Sequence, residues 1–209
     1  MKLYEKLIIN KDGCLLIPEG TKEIAISAFN CNTNLKHISL PNTITKIGAL
    51  SFQGCVNLEE IVIPGSVEVI EAQAFEGCNS LKKVKLSDGI KTIGDNAFSD
   101  CSKLEEINIP PSVSELGMCV FFGCDLLRKI TVEKTNPIFD SRDNCNAIIE
   151  TKSNKMIAGC KSTVFPSGIT SIPSGVFSNS DIEEINIPNT ILTIDDNAFY
   201  GCSKLKKVY

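Results

Sequence analysis

Phenylalanine recurs in this chain at positions 29, 52, 75, 98 and 121, each 23 residues after the one before. An ordinary globular core gives no reason for so strict a spacing. A fixed period of this size marks stacked repeats, in which one unit cannot bury its apolar face alone and neighbours must cover it. A proline stands eleven residues ahead of the phenylalanine in Pro18/Phe29, Pro41/Phe52, Pro64/Phe75, Pro110/Phe121, Pro166/Phe177 and Pro188/Phe199. The same frame therefore continues past position 121.

One unit reads Leu58, Ile61, Ile63, Pro64, Val67, Ile70, Ala74, Phe75, Gly77, Cys78. Alternating β-branched residues at 61 and 63 predict a short strand, closed by a proline that has no N–H to give to a ladder. Val67 to Ile70 predicts a second short extended piece, and the helix formers ahead of Gly77 predict a single helical or 3-10 turn. The strand-ending position falls at 17, 40, 63, 86, 109, 132, 165 and 187, and a ninth strand is reached at Tyr209. Residues 1–209 thus read as one repeat solenoid of about nine coils. The step from 132 to 165 is ten residues too long and marks an irregular insert at about 133–160. Tyr4 to Asn10 is expected to pair with the first coil as a cap. The last strand carries no polar capping unit, so a truncated array with an open, self-associating edge is expected there.

The chemistry available to such a chain is narrow. With 25 acidic and 21 basic residues, a net charge of −4 offers no electrostatic footprint for nucleic acid or an anionic membrane. Apolar runs such as Leu7–Ile9 and Leu15–Ile17 are far below the roughly 18 residues of a membrane span. Met1 to Lys6 lacks the apolar region of a secretory leader. A single histidine excludes HExxH centres and His-rich metal clusters. No phosphate loop, G-x-S-x-G elbow, dinucleotide fingerprint or EF-hand loop occurs. No catalytic residue, cofactor or metal site is expected.

The recurring L-x-x-I-x-I-P and A-F-x-G-C, as in Leu58 to Pro64 and Ala74 to Cys78, resembles the leucine-rich repeats of BspA-like surface proteins, the treponemal class or type 5. The resemblance runs from about Asp12 to Tyr209. The insert, with Asn136 to Arg142, Asn146 to Ile149 and Met156 to Cys160, is similar to a longer variant unit of that family. The resemblance implies a curved leucine-rich-repeat superhelix with a parallel sheet on its concave face. It also implies a secreted or cell-surface bacterial protein that binds a protein or glycan partner, including host extracellular-matrix proteins. The family motif is structural and hands over no binding residue. An intracellular scaffold, or a repeat region attached to an enzyme outside this chain, fits the same residues.

Ten cysteines first suggest a disulfide or metal framework. Cys55, Cys78, Cys101, Cys124 and Cys202 lie three after a phenylalanine and Cys31 two after, so these six read as one packing column of buried free thiols. Equivalent positions point their Cβ vectors the same way, which is poor disulfide geometry. Cys14, Cys119, Cys145 and Cys160 lie outside the column; a Cys145–Cys160 bond across the insert is conceivable. His37 and Cys14 share an outward strand position one coil apart, which allows a nucleophile and base pair, but an open sheet gives it no sheltered pocket.

Binding is expected on the sheet and the insert. After each opening leucine the charge alternates coil by coil: Lys36-His37, Glu59-Glu60, Lys82-Lys83, Glu105-Glu106, Arg128-Lys129. At a strand spacing of about 4.8 Å this sets a register-favouring ladder rather than a one-sign patch. The candidate partner-binding residues are His37, Glu60, Lys83, Glu106 and Lys129 from the ladder. Ser39, Val62, Lys85, Asn108 and Thr131 come from the next outward column. The insert adds Phe139, Arg142 and Asp143, read as exposed and carrying specificity.

Overall fold

The strands expected from the β-branched alternation form in the first six coils, and the 23-residue period puts successive strands side by side. The structure is a computed structural model in which residues 9–209 are described. Six of the strands are β1 (Cys14–Leu16), β3 (His37–Ser39), β5 (Glu60–Ile63), β7 (Lys83–Leu86), β9 (Glu106–Ile109) and β11 (Lys129–Val132), which make one parallel sheet in that order. The second extended pieces are β2 (Glu23–Ile24), β4 (Lys46–Ile47), β6 (Val69–Ile70), β8 (Thr92–Ile93) and β10 (Glu115–Leu116), a second parallel ladder. Register follows the period: Glu60 faces Lys83 and Val69 faces Thr92.

The third side of each coil is a run of turns rather than helix. Ala28, Asn30 and Asn32 donate to carbonyls three residues back, while Ser27, Phe29 and Cys31 donate to the next coil. Left-handed residues stop the turn from propagating. They flank each of the seven repeat phenylalanines two positions away on both sides, as Gln73 (φ 58°) and Gly77 (φ 69°) flank Phe75. This corrects the placement of Cys31: with φ 55° and an exposed side chain it occupies the glycine position beside Gly54, not the buried cysteine column.

Within the stack, Phe29, Phe52, Phe75 and Phe98 lie ring on ring, with centroids 5.1–5.3 Å apart and planes within 9° of parallel. Such centroid distances exceed ring contact, so the rings are offset, the favourable arrangement. The cysteine column is also a hydrogen-bond ladder. The thiols of Cys55, Cys78, Cys101 and Cys124 donate to the carbonyls of Phe29, Phe52, Phe75 and Phe98, at 3.1–3.3 Å.

The insert is no irregular loop. It folds as an antiparallel meander of β12 (Phe139–Asp140), β13 (Ile148–Glu150) and β14 (Lys155–Ala158). Strand β13 is buried on both faces: Ile148 belongs to the apolar cluster of the first six coils and Ile149 to the cluster beyond. The expected strand ending at 165 is absent, since residues 161–165 carry no strand. Beyond it, β15 (Ser171–Ile172) pairs with β17 (Thr193–Ile194), and β16 (Glu184–Ile185) with β18 (Lys207–Val208), both parallel. The strands that open the coils, β1 to β11 at odd numbers with β16 and β18, therefore number eight among the described residues.

No disulfide joins Cys145 and Cys160. Both are buried free thiols, donating to the carbonyls of Ala147 and Asn146. The expected cap falls, for residues 4–8, outside the described residues. Asn10 does engage the first strand: its amide donates to the Cys14 carbonyl and its side-chain oxygen accepts the Cys14 N–H.

Candidate functional site

Strand alternation decides which side chains face out. In β5, β7 and β9 the burial alternates exposed, buried, exposed, buried, so Glu60, Val62, Lys83, Lys85, Glu106 and Asn108 project from the sheet while the residues between them enter the core. The charge ladder is in register, with Lys83 opposite both Glu60 and Glu106, and Lys129 opposite Glu106. Its rungs differ in tightness. Arg128 reaches Glu105 at 2.5 Å and Lys129 reaches Glu106 at 3.5 Å. Among the described residues, Lys82, Lys83 and Lys85 come within 4 Å of no carboxylate. Exposed pairs of this kind contribute about 0–1 kcal/mol each, so the ladder sets register more than stability.

Eight of the predicted residues share one groove: Glu60, Val62, Lys83, Lys85, Glu106, Asn108, Lys129 and Thr131 line a hollow of about 750 Å³. A second hollow of about 590 Å³ begins at Asn108 and Thr131 and runs along the insert past Asp140, Arg142 and Asp143. The sheet and the insert therefore form one trough. His37 and Ser39 stand apart, in a separate hollow with Cys14 at the first strand.

The insert residues are used differently from the expectation. Phe139 is 5% exposed and packs into the first apolar cluster, so it anchors the insert instead of presenting a contact. Paired antiparallel with β13, strand β12 turns Phe139 inward and leaves its neighbour Asp140 half-buried, against Arg142. The Arg142 guanidinium grips Asp140 through Nε (2.8 Å) and Nη2 (2.6 Å) and reaches Asn154 through Nη1 (2.8 Å). Burial pushes the Asp140 carboxyl up, yet hydrogen bonds from Arg142 and Thr151 outweigh it and hold the group below the ordinary range. Arg142 is thus a strut. Asp143 alone of the three is exposed, at a left-handed φ of 58°.

Two residues that the repeat did not single out tie the insert to the sheet. Asn136, buried, donates to the carbonyls of Pro110 (3.0 Å) and Val113 (2.9 Å) and accepts from the amides of Ile138 and Phe139. It fastens the start of the insert to the fifth coil. Its only signal in the sequence is an Asn-Pro pair where the repeat departs from its period. Glu133 accepts from Asn108, which in turn accepts from Thr131 (both 2.8 Å), a polar chain across the join of sheet and insert. Among the described residues, no three His, Cys, Asp or Glu side chains gather to hold a metal ion. No helix there is long and apolar enough to cross a membrane.

A family model described as the BspA type leucine rich repeat region matches residues 22–148 and 143–209, in 6 copies. No curated protein sequence matches the chain. Among solved structures, a leucine rich cell surface protein of Faecalibacterium prausnitzii superposes with a TM-score of 0.71 at 24% identity, over 93% of this chain and 60% of that one. The pneumococcal vaccine antigen PcpA gives 0.66 at 22%, over 94% and 61%. The leucine rich repeat protein of T. pallidum gives 0.62 at 22%, over 94% and 79%. At these identities the likeness is one of fold, and the chain spans about 60% of the length of the first two.

Proposed function

Because the chain belongs to the BspA-type leucine-rich repeat family, we propose that it is a non-enzymatic module that binds an extended segment of a partner protein along its concave trough. One observation carries this reading: the groove over β5 to β11 and the hollow beside the insert are continuous through Asn108 and Thr131. Four strands at about 4.8 Å spacing give a floor roughly 14 Å wide, the span of four or five extended residues at about 3.3 Å each. The lining suits a peptide. Val62 offers exposed apolar surface, Lys83 and Lys85 offer unengaged ammonium groups, and Asn108 and Thr131 offer amide and hydroxyl partners.

We further propose that the module acts at a bacterial surface or after secretion, as an adhesin. Similarity of fold to a cell surface protein and to a vaccine antigen supports that setting. A panel of immobilised extracellular-matrix proteins and glycans tests both parts. The chain is expected to retain one or more proteins, and Val62→Arg together with Thr131→Arg is expected to weaken that binding at least ten-fold without loss of fold. Undiminished binding by the double variant, or binding confined to glycans, overturns the reading.

A further inference from the structure

Cys14, His37 and Glu60 stand in one row across three adjacent strands. Cys14 of β1 is the register partner of His37 in β3, and His37 is the register partner of Glu60 in β5. All three occupy outward positions, next to inward-facing Leu15 and Ile61. At about 4.8 Å per strand, a thiol, an imidazole and a carboxylate follow one another in the order of nucleophile, base and orienting acid. No hydrogen bond joins them in this structure. Register neighbours have Cβ atoms about 5 Å apart, so rotation about side-chain torsions suffices to bring the thiol to the imidazole.

The backbone beneath the pair is firmly held. The Gly13 carbonyl accepts the N–H groups of Lys36 (2.8 Å) and His37 (3.1 Å), and the Asn10 side chain accepts that of Cys14 (2.9 Å). Gly13 is left-handed (φ 81°), and a Cβ there would run into the Asn34 carbonyl, so no other residue fits beside Cys14. The hollow over the pair holds about 420 Å³ and is bordered by Leu16, which is 70% exposed and apolar. It is an open hollow, not an enclosed pocket, so a small organic disulfide reaches the sulfur directly from solvent.

The other thiols set this one apart. Burial pushes the thiol of Cys55 up to about 11 and raises those of Cys78, Cys101, Cys124, Cys145, Cys160 and Cys202, so their thiolates are disfavoured. Cys14, half-buried, and the exposed Cys31 and Cys119 remain, and only Cys14 has an imidazole at its register partner. We propose that Cys14 is an activated thiol that exchanges with small organic disulfides, with His37 as the base and Glu60 positioning His37. In the exchange His37 takes the thiol proton and the Cys14 sulfur attacks one sulfur of the disulfide. The S–S bond of the ligand breaks, a mixed disulfide forms on Cys14, and the departing thiolate recovers the proton from His37.

Oxidised glutathione, followed by peptide mass mapping of the intact chain near neutral pH, tests this. Cys14 is expected to be modified at least ten-fold faster than Cys31 and Cys119. His37→Gln is expected to remove that advantage; Glu60→Gln is expected to reduce it and Glu60→Asp to restore it. Cys78 should stay unmodified throughout, which reports an intact stack in each variant. Where a variant exposes Cys78, the ranking of Cys14 against Cys31 and Cys119 in the unaltered chain decides. Equal rates for the three accessible thiols, or an unchanged Cys14 rate in a folded His37→Gln chain, overturn the proposal.

Discussion

Replacing Phe75 by alanine probes what holds the coils together. Its ring is fully buried and stacked on both sides, 5.1 Å from Phe52 and 5.2 Å from Phe98. Truncating a buried phenylalanine costs about 3–5 kcal/mol, and each aromatic pair adds about 0.5–1.5 kcal/mol beyond the area it covers. Part of the stacking is already contained in the truncation figure, so a loss of about 5 kcal/mol is expected. Phe199 is the comparison: half-buried, it stacks on Phe177 alone, at 5.2 Å. The same change there should cost about 2–3 kcal/mol. Equilibrium urea unfolding followed by far-UV circular dichroism measures both. Because a solenoid is bound by nearest-neighbour terms, the Phe75 loss should also separate the unfolding of the coils on its two sides into distinct steps. If Phe75→Ala costs no more than Phe199→Ala, the stack is a consequence of the coil geometry and not a source of cohesion.

Other perturbations follow from the same geometry. Asn136→Ala leaves the Val113 carbonyl and two insert amides without these partners, takes one of two donors from the Pro110 carbonyl, and should cost about 3 kcal/mol by the same unfolding assay. Asp100 is pushed up by burial and then by the nearby Glu76, so its charge opposes folding at neutral pH, and that penalty fades as pH falls through its raised range toward the unfolded value. Asp100→Asn should therefore stabilise the chain by roughly a few tenths of a kcal/mol at pH 7 and by nothing under strongly acidic conditions, as thermal melts across pH will show. Cys119 is exposed and left-handed at φ 54°, so Cys119→Gly should raise stability by about 0.5–1 kcal/mol in thermal or chemical denaturation. Near the C-terminus Ile194 and Val208 are exposed where their equivalents in earlier coils, Ile172 and Ile185, are buried, and Leu192 adds exposed apolar surface beside Ile194. The 209-residue chain is expected to associate through this face in light scattering, with Leu192→Glu reducing the association; a strict monomer at all concentrations refutes it.

The repeat was legible in the sequence because a solenoid uses the same local solution in every coil. Ile61, Ile63, Val67, Ile70 and Phe75 announce strand, second strand and turn, and each is found where its pattern places it. The outward column of the sheet was legible for the same reason, since strand alternation alone assigns Val62, Lys85 and Asn108 to the open face. Cys31 was grouped with the buried column by residue type, although a frame counted from phenylalanine puts it two after Phe29, where later coils carry Gly54 and Gly77; its left-handed backbone agrees with that count. Phe139 and Arg142 were misread because the insert has no second copy to reveal its pattern. A lone phenylalanine among polar residues looks exposed until an antiparallel partner turns it inward.

By itself the sequence determined the period, the two short extended pieces of each coil, the phenylalanine stack and the alternating charges, all of which follow from interactions between a coil and an identical neighbour. Only the tertiary structure decided the rest. It folded the insert as a meander dividing the core at Ile148 and Ile149, and joined the sheet groove to the hollow beside Arg142. These depend on contacts between unlike segments, and contacts of that kind leave no repeat behind in the chain.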